Sequence, residues 1–487
     1  MGGSAGDPDV GSVTHDSRRA RAGALFAAFP GLAHDGREFA ADAVARGAVA
    51  VLGLPPAPGG LGVPYVGTDE PRRLAALLSA RLAGDPAGRL LMVGVTGTSG
   101  KTTTVTLVDR VLAERHPKRG LFGTLAYRGA GGDALSAART TPEATELQAM
   151  LAALVADGGT AATLECSSHA LALERLAGCA FDAAVFLNLS RDHLDFHHDL
   201  AHYFEAKARL FSMLKPGGRA VVNVADPWGR QLADRLSATA LVTFALDGPA
   251  DVTGKVEPSA SGLTLFVERK ETSEAFEVVS TLLGRPNAEN LLAAAATCLA
   301  LGLPAASIAP SLGALERVPG RLEAVPNALG LTVLVDYAHK PGALEGVLKT
   351  VRPLAQARGG RVVVLFGCGG DRDRGKRPDM GRIAALLADE TVLTSDNPRS
   401  EDPHAILAEI REGYESTGKG ATTIVDRGEA IGFALRHARP GDVVVLAGKG
   451  HETYQESHGV KRPFDDRKAA REALALLEAE AGAGSPA

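Results

Sequence analysis

The run Val93-Gly94-Val95-Thr96-Gly97-Thr98-Ser99-Gly100-Lys101-Thr102-Thr103-Thr104 carries the clearest chemistry in this chain. An apolar strand leads into a glycine-rich turn, and Lys-Thr-Thr opens a helix. Small residues let backbone N–H groups close around phosphates, and the helix N-terminus adds partial positive charge. Lys101 can reach the β- and γ-phosphates of a nucleotide, and the Thr102 hydroxyl can ligate Mg²⁺. One position departs from the generic phosphate-loop pattern. Val95 stands where the first glycine belongs, with glycines at 94 and 97. The spacing predicts an ATP or GTP site. Two further segments follow predicted strands. Glu165, in Leu164-Glu165-Cys166-Ser167-Ser168-His169, suits a Mg²⁺ ligand because hard cations want oxygen donors. The loop Asn188-Leu189-Ser190-Arg191-Asp192-His193-Leu194-Asp195-Phe196-His197-His198-Asp199 is either a functional loop or a solvated surface, and it lacks zinc spacing.

Strands must present these loops. At 487 residues, the chain exceeds one core. Its 45% hydrophobic and 22% charged residues and 57 glycines fit α/β domains. Apolar runs at 161–164, 183–187 and 220–224 alternate with helical stretches such as 288–301, the pattern of a parallel sheet with right-handed crossovers. Strands at 332–335, 361–366, 391–394 and 442–446 repeat the pattern nearer the C-terminus. Before them, helices are expected over 39–46 and 72–83, a loop at 54–60, and a linker at Gly84-Asp85-Pro86-Ala87-Gly88. The expected fold class is α/β in three domains: a small N-terminal α/β domain (1–86), a central P-loop-type parallel-sheet ATPase domain (87–316) and a C-terminal Rossmann-like domain (317–487). In such sheets, sites sit at the carboxyl ends of strands. The tail 482–487 is expected to be disordered.

The formal net charge of −5 argues against a general nucleic-acid binder. Residues 1–7 show no leader pattern, and no apolar run is long enough to span a bilayer, so no membrane insertion is expected. Cys166, Cys179, Cys298 and Cys368 lack paired spacing, fitting reduced thiols in a cytoplasm. Cys368 is expected to be a small buried thiol.

Taken with Gly97–Thr102, the Glu165–His169 turn and Arg191–Asp195, further segments complete a pattern. They are Asp16-Ser17-Arg18, Gly284-Arg285-Pro286-Asn287-Ala288-Glu289-Asn290, Val318-Pro319-Gly320-Arg321-Leu322-Glu323, Asp336-Tyr337-Ala338-His339, Gly367-Cys368-Gly369-Gly370-Asp371-Arg372-Asp373, Asp396-Asn397-Pro398-Arg399 and Gly448-Lys449-Gly450-His451-Glu452. The combination resembles the Mur ligases, ATP-dependent amide-bond-forming enzymes of peptidoglycan precursor synthesis, over nearly the whole chain. The match is best to the branch that adds a diamino acid to UDP-MurNAc-L-Ala-D-Glu. The resemblance implies that ATP phosphorylates the D-Glu γ-carboxylate and that an amine of the diamino acid attacks the acyl phosphate. Positioning and cationic screening would then supply most of the catalysis.

The resemblance also implies roles. Lys101, Lys207, Glu165 and His193 would be catalytic, with Mg²⁺ held by Thr102, Glu165, His193 and a carbamylated Lys207 (N6-carboxylysine). Without the family context, Lys207 is a plain helical surface lysine. ATP contacts would come from Gly97, Thr98, Ser99, Gly100, Lys101, Thr102, Thr103, Asn287, Asn290, Arg321, Asp336 and His339. The UDP-linked precursor would meet Ser17, Thr140, Thr141, Ser167 and Arg175. Leu173 stands where some relatives carry glutamine, and Ser168 and His169 either bind or orient their turn. Arg372, Asp396, Asn397, Pro398, Arg399, Gly448 and Glu452 would hold the amino acid. The Asp-Asn-Pro-Arg motif implies diaminopimelate, expected in its meso form although the sequence does not separate meso from L,L. Arginine offers two parallel donors to its distal carboxylate, and a lysine substrate is expected to leave Arg399 buried and unpaired. A cytoplasmic monomer is expected. The competing readings are an L-lysine-adding ligase, a folylpolyglutamate synthetase-like ligase and, from another class, a P-loop ATPase switch.

Overall fold

Parallel pairing dominates the three large sheets of the computed structural model, which describes residues 8–31, 34–135, 137, 139–259 and 262–483. Residues 1–7, where no leader pattern is expected, lie outside that set, as do tail residues 484–487. The first sheet is four parallel strands in chain order, Ser12–Thr14, Ala24–Ala28, Ala48–Gly53 and Tyr65–Gly67. Its helix Pro71–Leu82 docks on the helix Ala144–Ala156 through alanines: Ala76 packs with Ala144 and Ala177. Small side chains allow that close approach. The segment expected to be a linker at 84–88 is not loose. Pro86–Arg89 forms a 3-10 turn, and Ala87 and Leu90 are buried in the next core.

The second sheet has eleven strands, and the strand Leu91–Thr96 runs between Ala161–Glu165 and Phe181–Phe186, all parallel. Register sets the level at which the loops emerge. Val95 pairs with Glu165, and Thr96 with Phe186, so the three chains leave the sheet together. The sheet is not parallel throughout. Val252–Ser259, Gly262–Arg269 and Glu274–Ser280 form an antiparallel meander at one edge, and Arg119–Phe122, Tyr127–Arg128 and Ala134–Leu135 form another at the far edge. The helix Lys101–Leu112 covers one face beside Arg285–Ala300, whose alanine-rich surface is almost wholly buried.

The third sheet orders Glu323–Val325, Thr332–Asp336, Val443–Ala447, Val362–Phe366, Glu390–Leu393 and Thr422–Thr423, with only the first strand antiparallel. Asp336 pairs with Ala447 and Phe366 with Leu393, so four loops again leave at one edge. The closing helix Asp466–Ala483 takes in Gly482 and Ala483, against the expectation of a disordered tail from 482 onwards. All four cysteines are free and buried, and Cys368 Sγ lies 3.6 Å from Met380 Sδ.

One buried ion pair anchors this third unit. Arg427 and Asp466 both have fully buried side chains and meet in two bonds of 2.7 and 2.6 Å, while Arg427 also donates to Ala447 O at 2.9 Å. Removing one partner leaves an uncompensated charge in a site that water cannot reach. Arg427→Ala is therefore expected to destabilise this unit by about 3–5 kcal/mol, while the joint exchange Arg427→Met and Asp466→Leu restores most of the loss. Urea unfolding checks this; an unchanged midpoint for Arg427→Ala would refute it.

Candidate active site

The phosphate loop joins Leu91–Thr96 to Lys101–Leu112. Val95 is fully buried in the strand, which explains its departure from the generic pattern: it is a core residue. Gly94 answers a packing need, since a Cβ there would lie 2.9 Å from the Phe181 ring and 3.0 Å from Cys166 Sγ. Gly100 has φ +87° in the left-handed region, and a Cβ would come within 2.2 Å of Asn290 Oδ1. Asn188, at the end of the neighbouring strand, orders the turn by accepting from the N–H groups of Thr98 and Ser99 at 3.1 and 2.9 Å. Lys101 Nζ donates to Gly97 O and Thr98 O at 2.8 and 3.2 Å, and burial lowers its ammonium pKa to about 8.

Lys207 is not the surface lysine that its helix, Leu200–Ala208, suggests. It is 1% exposed, donates to Gly97 O at 2.8 Å and lies 4.4 Å from the centre of the Tyr203 ring. Burial, with Lys101 and Lys340 nearby, pushes its ammonium well below the usual range.

Glu165 ends its strand almost fully buried and accepts from the Thr124 N–H at 2.8 Å and hydroxyl at 3.0 Å. Around it Thr124 meets Thr140 at 3.1 Å, Thr141 donates to Glu165 O at 2.7 Å, and Thr141 and Ser167 meet at 3.1 Å. Arg175 donates to Thr141 O at 3.3 Å and pairs with Glu143 at 2.9 Å. Four of the five residues expected to meet the precursor thus form one network. No hydrogen bond joins Ser17 to it among the described residues, although His15 reaches Thr145 at 2.9 Å. Ser167 caps its short helix by accepting from Ala170 N at 3.2 Å. Ser168 instead meets His197 at 3.0 Å, and His169 packs 4.3 Å from the Phe196 ring centre. Both therefore orient the turn here. Leu173, at the end of that helix, offers no polar atom.

Across the junction, Asn287 and Asn290 are buried on the helix Arg285–Ala300, and Arg321 donates to Thr102 Oγ1 at 3.3 Å while stacking 4.6 Å over Tyr337. Asp336 accepts from Leu322 N and Ala338 N, both at 2.8 Å, and burial raises its carboxyl pKa. His339 Nδ1 lies 2.7 Å from Tyr337 O, and burial pushes that imidazole well below its ordinary value. One cavity is lined by Thr98 through Thr103, Thr140, Glu165, Ser167, His193, Asn287, Asn290, Arg321, Asp336 and His339. Thr102, Glu165 and His193 offer it a hydroxyl, a carboxylate and an imidazole kept neutral mainly by burial. Among the described residues no trio of His, Cys, Asp or Glu closes on one point. A hard divalent ion there would complete its shell with phosphate and water.

A second cavity adjoins the first and is lined by Arg372, Asp396, Asn397, Arg399, Gly448 and Glu452, together with Arg191, Asp192, Lys340 and Lys376. Pro398 sits in the turn and is not part of this lining. Fully buried Lys449 binds Asn397 Oδ1 at 3.0 Å and both Asp396 and Glu452 at 3.4 Å. Asn397 in turn donates to Glu452 at 2.9 Å, and burial together with Asp396 raises the Glu452 carboxyl pKa. Arg399 Nη1 donates to Gly370 O at 2.6 Å and its Nε stands 3.8 Å from Glu456. The expectation of an otherwise unpaired guanidinium is thereby corrected, because the neighbouring loop supplies an acceptor. The loops 367–373 and 396–401 are laced together. Gly370 N donates to Asn397 O at 2.9 Å, and Asp371 N to Glu401 at 2.6 Å. Fully buried Arg377 binds Glu401 in two bonds of 2.9 and 2.8 Å, Glu409 at 2.8 Å and Gly369 O at 3.3 Å.

Sequence reasoning missed Asn188, Lys340, Arg377 and Lys449 as site residues. Asn188 and Lys449 lie inside the motif segments 188–199 and 448–452, and Lys340 follows His339, whereas Arg377 sits in a charged run that looks solvated.

Family models match three stretches: "Mur ligase family, catalytic domain" over 9–66, "Mur ligase middle domain" over 95–298 and "Mur ligase, glutamate ligase domain" over 320–450. Two similar proteins, from Geobacter metallireducens and Gloeobacter violaceus, are both named UDP-N-acetylmuramoyl-L-alanyl-D-glutamate--2,6-diaminopimelate ligase. The first is 44% identical, covering 93% of this chain and 92% of the relative, and the second 45% identical, covering 96% and 94%. A solved structure of a ligase with the same name superposes with TM-score 0.66 at 36% identity, covering 96% of this chain and 95% of that one. MurF from Thermotoga maritima in complex with ADP shares the fold, with TM-score 0.63 at 19% identity, covering 97% and 98%. Identity of this order along nearly the full length, in agreement with the three family models, shows that the chain belongs to the Mur ligase family.

Proposed function

We propose that this chain is an ADP-forming ligase joining diaminopimelate, in the meso form, to the D-Glu γ-carboxylate of UDP-MurNAc-L-Ala-D-Glu in the cytoplasm, acting as a monomer in three domains divided near 86 and 316. The observation that carries the reading is the meeting of two cavities at one junction. The first is lined by the phosphate loop and Arg321, and the second by Arg399, Asp396 and Glu452. No helix among the described residues is long and apolar enough to cross a membrane, which agrees with a water-borne nucleotide substrate.

In this reading Lys101 and Arg321 hold and screen the phosphates, with Asn287, Asn290, Asp336 and His339 around the nucleotide. Thr140, Thr141, Ser167 and Arg175 present the γ-carboxylate, and Ser17 contributes from the turn after the first strand. A carboxylate oxygen attacks the γ-phosphorus as its bond to ADP breaks. The amine nitrogen then attacks the acyl carbon, losing a proton as phosphate departs. Closing the junction keeps water from the acyl phosphate. Mg²⁺ would be held by Thr102, Glu165, His193 and the carbamate of Lys207, and it supplies charge neutralisation for the transferring phosphoryl. Arg372, Arg399 and Glu452 orient the diamino acid, with Lys449 holding the acidic groups in register. Decisive support would be ADP release that needs UDP-MurNAc-L-Ala-D-Glu and diaminopimelate together; release with neither would favour an ATPase switch.

Lys101→Ala is expected to abolish ligation while the protein stays folded, because the lysine bonds only loop carbonyls. A loss under about tenfold, or roughly 1.4 kcal/mol of barrier, would remove Lys101 from the centre of the mechanism. Lys207→Ala is expected to be nearly inactive and partly rescued by small carboxylates, measured as ligation rate against added formate or acetate. Full activity without rescue would end the carbamate assignment. Arg399 already has one carbonyl partner, so its loss of a substrate carboxylate costs about 1–3 kcal/mol. The wild type should accordingly prefer diaminopimelate to L-lysine by roughly ten- to a hundredfold in kcat/KM, and Arg399→Lys should shrink that ratio. Equal use of the two amino acids would overturn the substrate assignment and leave the ligase reading standing.

A further inference from the structure

The two cavities share four lining residues: His193, Tyr337, His339 and Lys340. If one cavity takes the triphosphate and the other the amino acid, the γ-phosphorus, the acceptor carboxylate and the attacking amine must all meet at this shared wall. His193 and His339 present imidazole rings there and Tyr337 a phenol. Lys340 is the remaining one and carries an ammonium. It stands at the N-cap of the helix Pro341–Ala357, so the positive end of a long helix lies beside it. Its side chain is 16% exposed, and its Nζ pairs across the junction with Asp192, which itself bonds His193 Nε2 at 3.0 Å. Lys101 also lines the first cavity, and Lys376, which lines the second, braces the segment by donating to His339 O at 2.9 Å.

Resting on the ligase reading, we propose that Lys340 is a catalytic residue of the phosphoryl transfer, held ready by Asp192 and engaging the phosphoryl group between ADP and the acceptor carboxylate. As the carboxylate oxygen bonds to the γ-phosphorus and the bond to the ADP oxygen breaks, negative charge spreads over the phosphoryl oxygens midway between the two cavities. Lys101 serves the donor side of that path and Lys340 the acceptor side. On the acyl phosphate, Lys340 then neutralises the phosphate that leaves with the electron pair when the amine bonds to the acyl carbon. The cation belongs to the C-terminal unit and its resting partner to the central one, so the charge reaches the reaction only when the junction is closed.

Positional isotope exchange tests this step apart from amide formation. ATP labelled with ¹⁸O in the β,γ-bridge is incubated with UDP-MurNAc-L-Ala-D-Glu and no amino acid, and ³¹P NMR tracks scrambling of the label as the acyl phosphate forms and reverts. The wild type should scramble. Lys340→Met and Lys340→Gln should each slow scrambling at least tenfold, with thermal midpoints near that of the wild type, and Lys340→Arg should recover part of the rate. Glutamine can still hydrogen-bond Asp192 without the charge. Wild-type scrambling in Lys340→Gln would therefore reduce Lys340 to a tie between units and overturn the proposal, as would a rate for Lys340→Met within twofold of wild type. An absence of scrambling in the wild type would overturn the ligase reading and this inference with it.

Discussion

Parallel strands in register stop at the same level, and in this molecule that geometry is what every functional contact depends on. Val95 beside Glu165 and Thr96 beside Phe186 bring the phosphate loop, the Glu165 turn and the Asn188–Asp199 loop to one edge of the central sheet. Asp336 beside Ala447 and Phe366 beside Leu393 do the same for the C-terminal sheet. A slip of one residue in either pairing would turn inward-facing side chains outward and separate groups that must share a ligand. The two edges face each other, and Arg321 to Thr102 and Lys340 to Asp192 cross the gap.

Electrostatics explains why the crossing residues are cations. ATP, the UDP-linked precursor and the acyl phosphate are all anionic, so the junction must gather positive charge without letting it repel itself. Four cations near the reaction have oxygen partners in the structure: Lys101 and Lys207 bind loop carbonyls, Lys340 binds Asp192, and Arg175 binds Glu143. These partners are exchangeable for phosphate or carboxylate oxygens, so the charge is stored in place instead of being assembled when substrate arrives.

Much of this was legible in the sequence because the central strands are short apolar runs that end abruptly in polar motifs, as at Val95–Gly97, Leu164–Glu165 and Val335–Asp336. The motif loops were found for the same reason. The edge meander was not, since its strands Val252–Ser259 and Glu274–Ser280 are mostly half-buried or exposed and carry Lys255, Glu257, Glu274 and Glu277 in place of a continuous apolar run. Lys207 could not be recognised as buried from its helix, where lysine is normally a surface residue. Its bond to Gly97 O comes from the phosphate loop, far away in sequence. Arg377 was hidden in a run of seven residues with six charges, Asp371 to Arg377, because its partners Glu401 and Glu409 lie on another loop and another helix. Partners distant in sequence leave no local signal.

The lacing of the loops 367–373 and 396–401 by Arg377 and Glu401 has a consequence for molecular recognition. Two loops tied by a buried guanidinium have few alternative conformations, so little entropy is lost when a ligand settles between them. The same stiffness limits accommodation. A side chain one methylene longer or shorter cannot draw one loop towards it without moving the other, and the misfit falls on the ligand. Selectivity for chain length would then come from the scaffold beneath the pocket, at residues that never touch the amino acid. Loosening that tie would broaden the range of accepted amino acids before it weakened binding of the preferred one.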